Sequence, residues 1–160
     1  MSNQLILVLN CGSSSLKGAV IDRKSGNVLL SCLGERLGTP EAVITFSKDG
    51  KKCQTALTGR NDHAGAVGML LKELEKHGLH DRIKAIGHRI AHGGEKYSES
   101  VLIDQAVMDE LNACIPLAPL HNPANINGIL AAQEHFPGLP NVGVMDTSFH
   151  QTMPERAYTY

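Results

Sequence analysis

Residues 5–21, L-I-L-V-L-N-C-G-S-S-S-L-K-G-A-V-I, decide the fold. Leu5–Leu9 and Leu16–Ile21 read as two strands, because both runs are short, apolar and bounded by turn-forming residues. Between them lies Asn10-Cys11-Gly12-Ser13-Ser14-Ser15, the densest polar cluster in the chain. Such a turn can offer several backbone N–H groups and hydroxyls to one anion, since Gly12 permits positive φ and close approach and Lys17 follows two residues after Ser15. The same string also reads as an ordinary serine-rich hairpin turn, and on its own it leaves both readings open. A Walker A loop is excluded. No G-x-x-x-x-G-K-[ST] occurs, and a strand follows where that loop requires a helix.

Outward from this stretch, Val28–Leu33 reads as a third strand, and Ala42–Ser47 with Lys52–Leu57 flank Lys48-Asp49-Gly50-Lys51. Asp-Gly between two strand-like runs is a hairpin signal, so the opening of the chain is mostly antiparallel. From His63 the apolar period becomes helical through Ala66, Met69, Leu70, Leu71, Leu74 and His77, with Gly78 as the C-cap signal. A strand follows at Ile83–His88, then a helix capped by Asp104 and running to about Cys114, with Val107, Met108 and Leu111 on one face. Another helix is predicted from about Ala124 to His135, and a strand at Asn141–Met145 carries Asp146 at its C-terminal end. Strands followed by alternating helices and strands define an α/β domain with a mixed sheet.

The totals agree with a single globular domain: 160 residues, 42% of them hydrophobic and 19% charged, with no repeat or linker-like stretch. Lys and Arg number 15 against 16 Asp and Glu, a net charge of −1, which leaves no positive excess for a nucleic-acid backbone. The N-terminus has no basic region and its apolar run is far too short for a signal peptide or a membrane span, so the expected location is the cytosol, away from any membrane. Cys11, Cys32, Cys53 and Cys114 form no C-x-x-C pair and read as free thiols.

Three further clusters can carry chemistry. Gly87-His88-Arg89-Ile90-Ala91-His92-Gly93-Gly94 leaves a strand into a glycine-flanked loop; Arg89 stands where a zinc protease has its glutamate, and the glycines oppose a helix there. Arg89 can instead grip a carboxylate or phosphate bidentately, while the histidines support the loop. Pro116-Leu117-Ala118-Pro119-Leu120-His121-Asn122-Pro123 is either a rigid rim from which His121 reaches an oxyanion or a stiff connector. In Met145-Asp146-Thr147-Ser148-Phe149-His150, Asp146 either holds a metal-bound water or caps the strand through an Asx turn. A Ser148-His150-Asp146 triad lacks the G-x-S-x-G elbow.

Taken together, the strings at 7–17, 87–94, 116–123 and 146–154 (D-T-S-F-H-Q-T-M-P) resemble the acetate kinase family, within the acetate and sugar kinase, heat-shock chaperone and actin superfamily. The resemblance implies a ribonuclease-H-like (actin-like ATPase) fold, with residues 1–160 as the family's N-terminal domain and the C-terminal domain absent. It implies reversible phosphoryl transfer between ATP and acetate, giving ADP and acetyl phosphate with Mg²⁺ or Mn²⁺, in a homodimeric protein. Asn10 would bind the metal; Gly12, Ser13, Ser15 and Lys17 would hold the nucleotide phosphates. Arg89 would bind the acyl carboxylate or the phosphoryl group in flight, and Asp146 would be catalytic. Ala91, Leu120 and His121 would border the acetate pocket. Alanine at 91, where the family often has valine, raises propionate as a substrate, and Gly18 stands where an aromatic residue is common. The rival from another class is a non-catalytic fragment that binds an anion or a partner. Since the family's active site lies between two domains, the chain alone is expected to lack kinase activity.

Overall fold

The computed structural model describes residues 4–90, 101–113 and 122–145. Eight strands form one mixed sheet: β1 (Leu5–Cys11), β2 (Leu16–Asp22), β3 (Val28–Glu35), β4 (Val43–Lys48), β5 (Lys51–Ala56), β6 (Ile83–Ile90), β7 (Val101–Leu102) and β8 (Asn141–Met145). Their order is β5-β4-β3-β2-β1-β6-β8-β7. The first five strands pair antiparallel, β1, β6 and β8 run parallel, and β7 returns antiparallel along β8. Helices α1 (His63–Lys76), α2 (Gln105–Ala113) and α3 (Asn122–His135) complete the described elements, with a short 3₁₀ turn at His80–Arg82. This is the α/β mixed sheet expected from the order of periodicities. No helix among the described residues is long and apolar enough to cross a membrane.

Local chemistry sets most boundaries. Asp49 and Gly50 both adopt positive φ, 53° and 78°, which gives the β4–β5 turn a twist matching its strands. Asp62 Oδ1 accepts the Gly65 N–H at 2.9 Å and starts α1. At the other end Gly78 takes φ 69°, while Leu79 N–H donates to Leu74 O at 2.8 Å and Gly78 N–H to Glu75 O at 3.2 Å, the two bonds of a Schellman stop. Asp104 Oδ1 caps α2 through Val107 N–H at 2.9 Å, as its position predicted. The two-residue β7 has no periodic pattern to announce it.

Strand β1 alternates strictly, with Leu5, Leu7, Leu9 and Cys11 turned into the core. They meet Leu16 and Val20 of β2, Ile86 of β6, and Ala66, Val67, Leu70 and Leu74 of α1 in one buried cluster. Burial of each leucine contributes about 1.5–3 kcal/mol. A second cluster, Ile103, Val107, Met108, Leu111, Ile126 and Ile129, packs α2 onto α3. Cys11 and Cys32 are buried and Cys53 is exposed, all as free thiols. Burial pushes the Cys11 and Cys32 thiols up to about 12, so both stay protonated and unreactive.

Helix α3 lies close against β1 at Gly128, where a Cβ would stand 2.6 Å from Cys11 Sγ. Gly128→Ala should therefore destabilise the protein by about 1–3 kcal/mol, although alanine is the better helix former. Cys11→Ala should relieve part of that loss in a double-mutant cycle followed by urea denaturation, and additive effects would contradict the contact.

Candidate active site

The alternation that buries the β1 leucines turns Ile6, Val8 and Asn10 to the opposite face of the sheet. Asn10 pairs with Lys17 on β2, and Leu9 lies beside His88 on β6, so one step further along both strands Arg89 shares the outer face with Asn10. Lys17, Asn10 and Arg89 thus stand in a row across three adjacent strands, with about 10 Å between the outer Cα atoms at ordinary strand spacing. Lys17 is exposed, and Asn10 and Arg89 are half-buried. The row sits toward the C-terminal ends of parallel β1 and β6, where open α/β sheets bind ligands.

The connector between β1 and β2 begins beside this row. Its carbonyl groups are held from the protein side: Asn125 Nδ2 donates to Cys11 O at 3.3 Å, His63 Nε2 to Gly12 O at 2.7 Å, Leu37 N–H to Ser14 O at 2.9 Å, and Gly12 N–H to Ser15 O at 3.0 Å. All peptide bonds among the described residues are trans, and in a planar trans peptide the C=O and the following N–H point in opposite directions. The N–H groups of Ser13 and Ser15 therefore face away from His63 and Leu37, and among the described residues they have no acceptor. Ser13 is exposed and Ser15 half-buried. Oriented N–H groups beside a lysine form an anion-receptive concavity. Gly12 is not in the left-handed region; the expected positive φ is absent. A Cβ there would stand 2.6 Å from Ser15 Oγ, a rotatable hydroxyl that would have to turn aside.

Behind Arg89, the adjacent His88 turns into the core at 3% exposure and donates from Nε2 to Asn141 Oδ1 at 2.8 Å. The Asn141 amide is oriented by its own donation to Leu139 O at 3.1 Å, which presents Oδ1 to the imidazole and fixes the Nε2–H tautomer. This bond ties β6 to β8. Burial lowers the His88 pKa to about 4, and the bond to Asn141 opposes that shift without cancelling it.

Asn10, Gly12, Ser13, Ser15, Lys17 and Arg89 thus lie together at one end of the central strands. Ala91, Leu120, His121 and Asp146 lie outside the described residues. Two structural supports were missed by the reading of motifs. His63 shares the buried α1 stripe with Val67, Leu70 and Leu74, a spacing that pointed inward, and Asn141 begins a strand that drew notice only for its far end. Gly18 belongs to the core face, where a Cβ would meet Cys32 Sγ at 2.9 Å, so an aromatic side chain has no room there.

A mixed sheet of this order, flanked by helices, is that of a ribonuclease-H-like domain. The chain belongs to the acetokinase family, whose profile matches residues 5–160. Acetate kinase 2 of Neisseria meningitidis serogroup B is 92% identical over all 160 residues, which span 40% of that protein. Among solved structures, a propionate kinase from Francisella tularensis superposes with a TM-score of 0.86 at 43% identity, covering 96% of this chain and 39% of the other. Porphyromonas gingivalis acetate kinase gives 0.85 at 42% identity, covering 98% and 41%. The chain thus spans about two-fifths of the length of the relatives it matches.

The buried neutral imidazole sets a pH dependence. An unfolded histidine titrates near 6.5 and His88 near 4, so between these values only the unfolded state takes up the proton. Stability present above pH 6.5 is lost as the pH falls toward 4, by on the order of 1 kcal/mol per unit. In urea denaturation, His88→Gln should show a shallower decline between pH 7 and 5 than the parent, and equal slopes would contradict this role.

Proposed function

We propose that this chain works within a longer acetate kinase, forming the wall of the active site that holds phosphate and the acceptor carboxylate, in reversible phosphoryl transfer between ATP and acetate. The observation that carries the reading is the row of Lys17, Asn10 and Arg89 beside the outward-facing Ser13 and Ser15 N–H groups. The cytosolic setting and the homodimer implied by the resemblance belong to the same proposal.

Phosphoryl transfer requires in-line positioning and stabilisation of equatorial oxygens more than covalent help. Lys17 and the Ser13–Ser15 backbone bind the nucleotide phosphates, and Arg89 spans the interval to the acceptor carboxylate or the transferring group. A carboxylic acid with a pKa of about 4 is ionised at neutral pH, so the acceptor has no proton to remove. Asp146 is accordingly suited to the shell of Mg²⁺ and its waters rather than to general-base work. Asn10, half-buried in the row, offers one neutral side-chain oxygen to such an ion. Magnesium typically keeps several waters and relies on substrate phosphates. When bound, it supplies charge neutralisation on those phosphates. A second reading, propionate as acceptor, is favoured by Ala91 and by the 43% identical propionate kinase.

The reading is tested in a full-length chimera in which this chain replaces the matching segment of the Neisseria meningitidis protein, assayed for acetyl phosphate as the hydroxamate. Arg89→Ala should lower kcat by about a thousandfold or more, and Arg89→Lys should fail to restore it because the bidentate fork is lost. Retention of activity within about tenfold would contradict the role. The 160-residue chain alone should show no turnover, since one open sheet face cannot exclude water from the transfer. In the chimera, the ratio of kcat/KM for acetate and propionate should fall within about 200-fold, the range one methylene allows.

A further inference from the structure

His63 is the first residue of α1, 7% exposed, and far in sequence from the loop it touches. Its Nε2 lies 2.7 Å from Gly12 O and 3.1 Å from Ser15 O. Two carbonyl oxygens can only accept, so Nε2 must carry the hydrogen and share it between them. The helix start that presents this nitrogen is itself fixed. Asp62 caps it, and a Cβ on Gly65 would collide with the Arg60 carbonyl oxygen.

We propose that His63 is a positioning residue for the phosphate-binding loop. By pinning the Gly12 and Ser15 carbonyls inward, its Nε2–H turns the Ser13 N–H outward, toward the phosphate oxygens of a nucleotide. The second effect is closure. Ser15 O receives both the His63 hydrogen and the Gly12 N–H, which holds the two ends of the turn together and sets the spacing between the Ser13 and Ser15 donors. His63 touches no substrate in this account. It acts through peptide planes, so its contribution is specific to the anion and not to the carboxylate acceptor. This inference rests on the proposed kinase reading for its kinetic consequence but not for its geometry.

Two measurements on the full-length chimera test it. His63→Ala should raise the KM for ATP by about tenfold, the scale of a lost part-buried hydrogen bond, with the KM for acetate little changed. His63→Gln should largely restore the ATP parameter, because its terminal amide can donate at the place of Nε2 and the site borders a cavity of about 270 Å³ that accommodates the adjustment. A merely structural histidine would instead shift both KM values together and would not distinguish Gln from Ala; either result overturns the proposal, as does an unchanged KM for ATP.

The second measurement follows the Ser13 and Ser15 amide resonances during titration with inorganic tripolyphosphate. Both should shift in the parent and in His63→Gln; in His63→Ala the Ser13 shift should be lost, while Ser15, whose N–H is oriented through Leu37 and Ser14 O, keeps its response. Absence of a Ser13 shift in the parent, or an equal Ser13 shift in all three proteins, overturns the proposal. A parent that makes no acetyl phosphate but shows the expected amide pattern would refute the kinase reading and leave the positioning role standing.

Discussion

Carbonyl groups turned toward the protein at the end of a central strand need donors, and that constraint shapes this end of the domain. Cys11, Gly12, Ser14 and Ser15 find theirs in Asn125 of α3, His63 of α1, Leu37 beyond β3, and the loop's own Gly12 N–H. Three elements distant in sequence thus close on one short turn. The consequence follows from peptide planarity alone. Carbonyls drawn inward leave N–H groups facing out, and a structural requirement of folding supplies the donors that the proposed anion site needs.

The same strand organises the row of Lys17, Asn10 and Arg89. Its inward leucines fix which face meets α1 and α3, and a slip of one residue would bury Asn10 and expose Cys11. Register carries this choice to Lys17 on β2 and to Arg89 on β6. Arg89 is held on the outer face because His88, its neighbour, is committed inward by the bond to Asn141. Core and site are therefore set by one alternation, and the buried imidazole acts on the site only through strand placement.

Local signals were legible wherever the chemistry is local. Asp49-Gly50 marked its hairpin, Asp104 its cap and Gly78 its stop, because each works within a few residues. The four motif strings also made the family legible and named Asn10, Lys17 and Arg89 individually. Their arrangement as a row was not legible, since it depends on parallel pairing between strands more than seventy residues apart. His63 illustrates the same limit. Its inward position was readable from the α1 period, whereas its partners, 51 and 48 residues away, were not. At Gly12 the sequence suggests positive φ, whereas the backbone there is not left-handed and a Cβ would meet only the rotatable Ser15 Oγ closely.

The most direct test of the account is a crystal structure of the full-length chimera with ADP, Mg²⁺ and acetate bound. The account predicts nucleotide phosphate oxygens at about 3 Å from the Ser13 and Ser15 nitrogens and near Lys17 Nζ, with the acetate carboxylate approached by Arg89. Phosphates seated elsewhere, with those two N–H groups still facing solvent, would contradict it.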